Sequence, residues 1–276
     1  MRNLVVVILA LVCSPAALSA QGGSLFIVGG GPRPAELMGR FVELAGGPGK
    51  AVILVLPMAS ADSTAGPSLV RELQALGATA RFAIVRREEA DSPAALRHLE
   101  GITGIWFNGG AQTRLTAALG GTRFEQGMLA AHRSGAVIGG TSAGAAVMSA
   151  VMITGDEKRP GGDRPVTSDN WLTIEADNVV TTRGFGFLTN AVVDQHFLRR
   201  KRYGRLLSLA LDHPTLLGVG IDEGTALEVG PDGRWTVRGM STVLIVDPRP
   251  AQTHAAAGTM RGAALHVLRA GEVFVP

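Results

Sequence analysis

The segment Gly140-Thr141-Ser142-Ala143-Gly144 constrains the fold of this chain more than any other stretch. It follows a short apolar run at residues 136–138 and precedes an apolar, helix-forming run that reaches residue 148. Glycine on both sides of a serine is typical of a sharp strand-to-helix turn, in which the two backbones come so close that a Cβ would clash. The pattern predicts a nucleophile elbow with Ser142 at its apex, above the N-terminus of the next helix. A tight turn with a helix-capping Thr or Ser is the alternative.

The first twenty residues form a separate segment. A positive residue, Arg2, precedes an apolar run at residues 4–12, and small residues follow as far as Ala20. This order predicts a secretory signal peptide at residues 1–20 and a single catalytic α/β domain at residues 21–276. We therefore expect a protein exported to the periplasm or the medium. The apolar run is too short for a comfortable membrane span, so no membrane attachment is expected once the signal is removed.

Cysteine, histidine and charge exclude several kinds of chemistry. The one cysteine, Cys13, lies within the predicted signal peptide, so the rest of the chain has no thiol nucleophile, disulfide or cysteine metal ligand. The six histidines have none of the spacings of metal sites, and we expect neither a metal nor another cofactor. The net charge of +3 is too small to indicate nucleic-acid binding. The glycine-rich stretches at residues 29–31 and 46–50 lack the spacing of phosphate-binding loops and are predicted to be turns.

Short β-rich runs alternate with amphipathic segments along the chain. Strands are predicted at residues 25–28, 51–56, 80–85, 104–107, 136–138, 191–194 and 218–221, and helices at residues 34–45, 67–76, 93–100, 112–119, 122–132 and 203–212. This alternation predicts an α/β fold with a mostly parallel sheet and helices on both faces. A polar stretch at residues 154–170 is predicted to be a long surface loop beside the site. Short antiparallel strands are predicted after residue 225, as a C-terminal β extension.

A serine nucleophile needs a base and an orienting acid, and the candidates for both follow predicted strands. His196 comes directly after one strand, and Glu223 with its neighbour Asp222 comes after the next. Because the carboxyl ends of parallel strands meet at one edge of a sheet, we expect these side chains to lie beside Ser142. Adjacent residues point in different directions, so only one acid, by preference Glu223, is expected to face the site. The order serine, histidine, acid differs from that of α/β-hydrolases. A histidine bonded to a backbone carbonyl is the alternative for His196.

Two further features suit a reaction at Ser142. An oxyanion needs backbone N–H donors, and we expect them from Ala143 and from residues 108–111, with Gly110 as the candidate. A dense basic cluster follows within nine residues of the candidate base, and it consists of Arg199, Arg200, Lys201, Arg202 and Arg205. A solvated helix face is the usual role of such a run, but its position favours the binding of carboxylates by guanidinium groups.

Three blocks of sequence carry a resemblance to a known family. They are residues 139–145 (GGTSAGA), 194–206 (DQHFLRRKRYGRL) and 220–226 (GIDEGTA). With these motifs the sequence resembles the cyanophycinases, serine peptidases grouped with aspartyl dipeptidase, from about residue 25 to at least residue 246. The resemblance implies the α/β sandwich of class I glutamine amidotransferases with a serine in the elbow, and a triad of Ser142, His196 and Glu223. Many members of the family are dimers, which leaves a homodimer open here.

The resemblance also implies which residues hold the substrate. The matching positions in this chain are Gln112, Asp194, Gln195, Arg202 and Arg205, to which the basic cluster adds Arg200. Two positions depart from the family pattern, since Ala111 replaces a polar residue and Gly224 replaces a frequent asparagine. Both departures remove side-chain hydrogen bonds and bear on the choice of substrate, but they leave the implied triad intact.

The motifs together predict an exported serine-type exopeptidase. By resemblance it cleaves the β-linked aspartyl bonds of cyanophycin, a poly-aspartate that carries arginine on its side-chain carboxyls, and releases β-Asp-Arg dipeptides. The expected reaction passes through an acyl-enzyme on Ser142 formed at the β-carboxyl. The alternatives are an isoaspartyl or aspartyl dipeptidase of the same family, and a non-catalytic carbohydrate- or peptide-binding module on the same scaffold.

Overall fold

The computed structural model describes residues 22–158 and 173–276. The predicted signal peptide at residues 1–20 lies outside the described residues, as does the predicted surface loop from residue 159 to residue 170. Among the helices of the described ranges, none has both the length and the apolar character needed to cross a bilayer.

The described residues form seven α-helices and sixteen strands. The helices are α1 (Ala35–Leu44), α2 (Ala65–Ala75), α3 (Pro93–Leu96), α4 (Gln112–Leu119), α5 (Arg123–Arg133), α6 (Ala143–Ala146) and α7 (Tyr203–Asp212). The first eight strands are β1 (Leu25–Val28), β2 (Val52–Leu56), β3 (Thr79–Phe82), β4 (Gly104–Phe107), β5 (Val137–Thr141), β6 (Val151–Glu157), β7 (Val179–Arg183) and β8 (Ala191–Gln195). The remaining strands are β9 (Leu217–Ile221), β10 (Thr225–Val229), β11 (Trp235–Gly239), β12 (Thr242–Asp247), β13 (Gln252–His254), β14 (Thr259–Arg261), β15 (Ala264–Arg269) and β16 (Val273–Phe274).

An eight-stranded sheet forms the centre of the fold, in the order β16-β11-β10-β1-β5-β4-β2-β3. The pairs from β1 to β3 are parallel, whereas β10, β11 and β16 extend the sheet beyond β1 with antiparallel pairs. Every residue of β1 and β4 is buried, as expected for parallel strands that are covered on both faces. The predicted α/β class, with a parallel core and a C-terminal β extension, is confirmed.

Each face of the central sheet has its own hydrophobic cluster. On one face, Phe41 of α1 packs edge-on against Trp106 of β4 with ring centroids 4.8 Å apart, and Leu69 and Leu73 of α2 join them. A Cβ on Gly139 of β5 would lie 2.5 Å from the Phe41 ring, so the glycine permits this close packing. Residues of α3 to α6 and of a second sheet form the cluster on the other face.

The second sheet has the order β15-β12-β9-β8, and two of the three predicted triad residues, His196 and Glu223, lie just beyond the ends of β8 and β9. Strands β8 and β9 are parallel, and α7 packs against them. The expectation that these strands share one parallel sheet with β5 is wrong. After β9 the chain crosses directly into the central sheet, where β10 pairs with β1, while β9 itself pairs with β12. The predicted meeting of strand ends therefore occurs between two sheets.

The predicted surface loop begins inside a strand. Residues 154–157 belong to β6, which pairs with β7 in a separate two-stranded sheet. The side-chain amide of Gln112 donates to the carbonyls of Ile153 and Thr154, at 2.7 and 3.0 Å. The polar sequence of this strand is thus held by a contact from a distant helix, which the local pattern does not reveal.

Candidate active site

Ser142 lies at the turn between β5 and α6, as the glycine pattern predicts. Its backbone has φ 55° and ψ −113°, a region that residues with a Cβ rarely adopt. A Cβ on Gly140 would lie 2.4 Å from the Gly144 carbonyl oxygen, and a Cβ on Gly144 would lie 2.1 Å from the Phe107 carbonyl oxygen. Neither position has room for a side chain, so this turn requires glycine on both sides of the serine.

The structure brings Ser142, His196 and Glu223 together in a line of hydrogen bonds. Nε2 of His196 lies 2.9 Å from Oγ of Ser142, and Nδ1 of His196 lies 2.6 Å from Oε1 of Glu223. His196 follows β8 with a φ of 50°, and its backbone N–H donates to the Gly29 carbonyl at 2.6 Å. The three side chains that the sequence singles out as a triad therefore have the distances that a triad requires.

Asp222, the other candidate acid, faces away from His196. One carboxylate oxygen accepts hydrogen bonds from the backbone N–H groups of Leu198 and Arg199, at 3.1 and 3.0 Å, and the other accepts from the Ser241 hydroxyl at 2.8 Å. These bonds tie the loop after His196 to the end of β9. Of the two adjacent acids, only Glu223 contacts the histidine.

A glycine turn after β1 forms the wall behind His196 and Glu223, and sequence reasoning missed this role. A Cβ on Gly30 would lie 2.3 to 2.8 Å from three atoms of the His196 ring, and a Cβ on Gly31 would lie 2.7 Å from Cβ of Glu223. The Gly30 carbonyl also accepts the N–H of Gly224 at 2.9 Å. The available signal was three consecutive glycines directly after a buried strand, at the end where ligand sites of such sheets lie.

A cleft of about 370 Å³ opens beside Ser142 and His196. Its wall includes Gly109, where a Cβ would lie 3.4 Å from Cβ of Ser142. Gly110, the predicted oxyanion donor, is the next residue, and its Cα packs against the backbone of Ala59. Ala143 is the first residue of α6, directly after the serine. The oxyanion roles of Gly110 and Ala143 stay predictions.

Four predicted substrate-binding residues lie in a buried network next to the histidine. The carboxylate of Asp194 accepts from Nε of Arg205 at 2.8 Å and also from its Nη2. Nη1 of Arg202 donates to the backbone and side-chain oxygens of Gln195, at 2.8 and 2.5 Å, and lies 3.6 Å from the Asp194 carboxylate. All four residues are less than a tenth exposed. The structure thus places them beside the site and largely in contact with each other, and their contact with substrate stays a prediction.

The other two predicted substrate contacts occupy different positions. The amide nitrogen of Gln112 bonds to the β6 backbone, so it joins α4 to β6 and is not directed at Ser142. Arg200 is half-buried, its N–H donates to the His196 carbonyl at 2.9 Å, and its charge acts on the His196 ring. In the described part of the chain, no group of three or more His, Cys, Asp or Glu side chains is arranged to hold a metal ion.

Burial lowers the pKa of His196 below its ordinary value. The hydrogen bond that His196 donates to Glu223 raises this pKa, and the positive charges of Arg200 and Arg202 add to the lowering. The lowered pKa favours the neutral imidazole. With Nδ1–H donating to Glu223, Nε2 has a lone pair available for the Ser142 proton.

An α/β fold with a strained serine at a strand-to-helix turn, aligned with a histidine and a carboxylate, is typical of hydrolases that use an activated serine. Residues 25–234 match the model of Peptidase family S51, and the chain belongs to this family. The cyanophycinase of Trichormus variabilis is 33% identical over 250 residues, which cover 87% of this chain and 80% of that relative. The cyanophycinase of Synechococcus elongatus is 34% identical over 244 residues, which cover 84% and 70%.

A solved structure supports the same assignment. The crystal structure of a peptidase from an acI-B1 Actinobacterium has a TM-score of 0.68 at 26% identity, covering 92% of this chain and 97% of that one. The chain is a peptidase, and the resemblance read from its motifs is confirmed.

Replacing Gly30 with alanine is expected to slow the labelling of Ser142 by a fluorophosphonate probe by about 100-fold, because the new Cβ would displace the His196 ring. Gly46→Ala is the matched control. Gly46 has the same φ of 112°, but the nearest atom to its ideal Cβ is Cβ of Lys50 at 3.7 Å, so an alanine there imposes the backbone strain without a close contact. Equal labelling rates for the two variants would contradict the role given to the turn.

Replacing Arg200 with glutamine is expected to raise the pKa of His196, because a positive charge that disfavours the imidazolium is removed. The pKa is measured by NMR titration of the histidine ring in the unliganded protein. In the unaltered protein the midpoint should lie below 6.5, and in the variant it should move upward. Arg199→Gln removes an exposed charge from the same segment and should leave the midpoint in place. A midpoint above 6.5 in the unaltered protein would show that burial and the arginines do not dominate.

Proposed function

We propose that Ser142, His196 and Glu223 are the catalytic triad of a serine-type peptidase. The observation that carries this proposal is the pair of distances at the histidine, 2.9 Å to the serine oxygen and 2.6 Å to the carboxylate. At these distances a base can take the serine proton while the acid fixes the orientation and tautomer of the base. Membership of a peptidase family supports the same reading.

The proposed reaction follows from this geometry. Nε2 of His196 takes the Oγ proton as Oγ of Ser142 attacks the carbonyl carbon of the scissile amide. The N–H groups of Ala143 and Gly110 stabilise the oxyanion of the tetrahedral intermediate. His196 then gives its proton to the leaving amine, and the acyl group stays on Ser142 as an ester. A water molecule, deprotonated by His196, hydrolyses the ester and restores the serine hydroxyl.

We propose cyanophycin as the substrate and β-Asp-Arg dipeptides as the products. The support comes from relatives named cyanophycinase, which this chain matches over 84 to 87% of its length. Serine attack on an amide bond is a reaction that this polymer can undergo at each of its repeating units.

The products determine which bond breaks. A β-Asp-Arg dipeptide keeps the amide between the aspartate β-carboxyl and arginine, so its release from the polymer requires hydrolysis of the main-chain amide between successive aspartates. The acyl group on Ser142 is then a main-chain carbonyl. The acyl-enzyme expected from the sequence, formed at the β-carboxyl, belongs instead to the isoaspartyl dipeptidase alternative, which would split β-Asp-Arg into aspartate and arginine.

We propose further that the protein is exported, because residues 1–20 have the order of a signal peptide. Export would suit the degradation of polymer from outside a cell, since an insoluble granule cannot enter a cell. If Ala20 is the last residue of the signal, the protein recovered from outside the cytoplasm should begin at Gln21. N-terminal sequencing reads this directly, and recovery of an intact Met1 from the cytoplasm would rule the proposal out.

The purified protein, incubated with insoluble cyanophycin, should release β-Asp-Arg detectable by mass spectrometry. Ser142→Ala should reduce the rate at least about 1,000-fold, since the nucleophile is lost. Ser134→Ala, at the exposed position directly after α5, is the matched control and should keep full activity. Release of free aspartate and arginine from β-Asp-Arg, with no attack on the polymer, would favour the dipeptidase. No reaction with either substrate or with a serine-directed probe would favour the non-catalytic binding module.

A further inference from the structure

Two opposite charges line the same cleft as Ser142 and His196. Arg33 follows the glycine turn by two residues, and Glu72 lies on α2. The cleft-lining residues of α2 are spaced as one face of a helix, and they are Ala65, Ser68, Leu69 and Glu72. One wall of the cleft is thus a helix face that ends in a carboxylate, and a guanidinium lies against it.

The bond between Arg33 and Glu72 is incomplete. Nη2 of Arg33 approaches one oxygen of Glu72 at 3.3 Å, and among the described residues Nε of Arg33 has no hydrogen-bond partner although it is buried. The pair of Arg40 with Glu228 is different, since Nε and Nη2 donate to the two carboxylate oxygens at 3.0 and 2.7 Å. Charged groups joined by one long contact add little to stability, so this pair is poorly explained by folding alone.

The amide of Asn108 extends the same wall. Its Nδ2 donates to the Ala65 carbonyl at 3.2 Å, while its Oδ1 is buried and has no partner in the described part of the chain. Asn108 lies one residue before Gly109, the glycine next to Ser142. Along this wall, Nε of Arg33 and Oδ1 of Asn108 are thus buried without a hydrogen-bond partner in the described part of the chain, and the Glu72 carboxylate has one long contact.

We propose that Arg33 and Glu72 form a subsite that recognises the charged groups of the substrate, in which Arg33 binds a carboxylate and Glu72 binds a guanidinium. The Nε and Nη2 atoms of Arg33 form the edge that takes a carboxylate with two parallel bonds. A ligand carboxylate would replace the single bond to Glu72 and free that acid for a cation. The inference rests on the proposed function, because each β-Asp-Arg unit carries both an arginine α-carboxylate and a guanidinium.

Binding is measured by isothermal titration to the Ser142→Ala protein, which cannot turn over the ligand. The ligands are β-Asp-Arg and two analogues of it. In the citrulline analogue a neutral urea of the same shape replaces the guanidinium, and in the amide analogue the arginine carboxylate is amidated. The arginine dipeptide should bind about tenfold more tightly than the citrulline analogue. Adding Glu72→Gln should bring the two affinities together. Adding Arg33→Gln should instead remove the preference for β-Asp-Arg over the form whose arginine carboxylate is amidated.

Arg86→Gln and Glu89→Gln are the matched controls. These residues also form a single-bond pair, at 3.0 Å, but on the exposed surface and outside the cleft, so neither change should alter the ratios. Equal affinities of the two dipeptides for the starting protein, or a ratio unchanged by Glu72→Gln, would overturn the subsite. Failure to bind either dipeptide would overturn it as well.

The polymer assay separates this inference from the proposed function. If the protein degrades cyanophycin but Glu72→Gln leaves the arginine preference intact, the function stands and the subsite fails. If the charge-dependent binding is found without polymer degradation, the subsite stands and the assigned substrate fails. The circular dichroism spectrum of the Glu72→Gln protein should match that of the unaltered protein, which shows that the fold is unaffected.

Discussion

The end of β1 holds the two strained residues of the site in place. Ser142 donates its backbone N–H to the Val28 carbonyl at 3.0 Å, and His196 donates its own to the carbonyl of the next residue, Gly29, at 2.6 Å. Both donors have positive φ values, and conformations of this kind cost about 1 to 3 kcal/mol each unless the surroundings impose them. The carbonyls of two consecutive residues at this strand end bind Ser142 and His196. The distance between the serine and the histidine is therefore set by the distance between neighbouring carbonyls of one strand. The bond between Nε2 and Oγ depends on this arrangement.

The same strand end also joins two sheets. His196 follows β8 of the second sheet, while Glu223 lies between β9 of that sheet and β10 of the central one. The Gly30 carbonyl accepts the N–H of Gly224, the residue after Glu223, just as the Gly29 carbonyl accepts the N–H of His196. The turn after β1 is therefore hydrogen-bonded to the backbone next to both the histidine and the acid. A side chain on Gly30 would overlap the imidazole. The ring can reach the serine because this wall is bare backbone.

These contacts explain what the sequence could and could not predict. Ser142, His196 and Glu223 each follow a buried strand, and a local pattern of apolar residues and glycines is enough to find such positions. The division into two sheets depends on which strands pair across long stretches of chain, and no local pattern records that choice. The role of Gly30 was missed for the same reason, since its neighbour is 166 residues away. The departure at Gly224 has a simple reading, because φ is 64° there and glycine and asparagine both tolerate that region.

The arginines of the basic segment after His196 differ in burial and in the groups that their charges act on. Arg202 and Arg205 are three residues apart and are buried against Asp194, whereas Arg199 is exposed. The buried aspartate offsets part of this positive charge, and the charges of Arg200 and Arg202 still act on the imidazole. That field disfavours the imidazolium and favours any anion nearby. Glu223, bonded directly to Nδ1, compensates the imidazolium that forms when the serine proton is taken. In the proposed reaction, the Glu223 carboxylate therefore stabilises the protonated base, and the charges of Arg200 and Arg202 favour the return of its proton to the leaving amine.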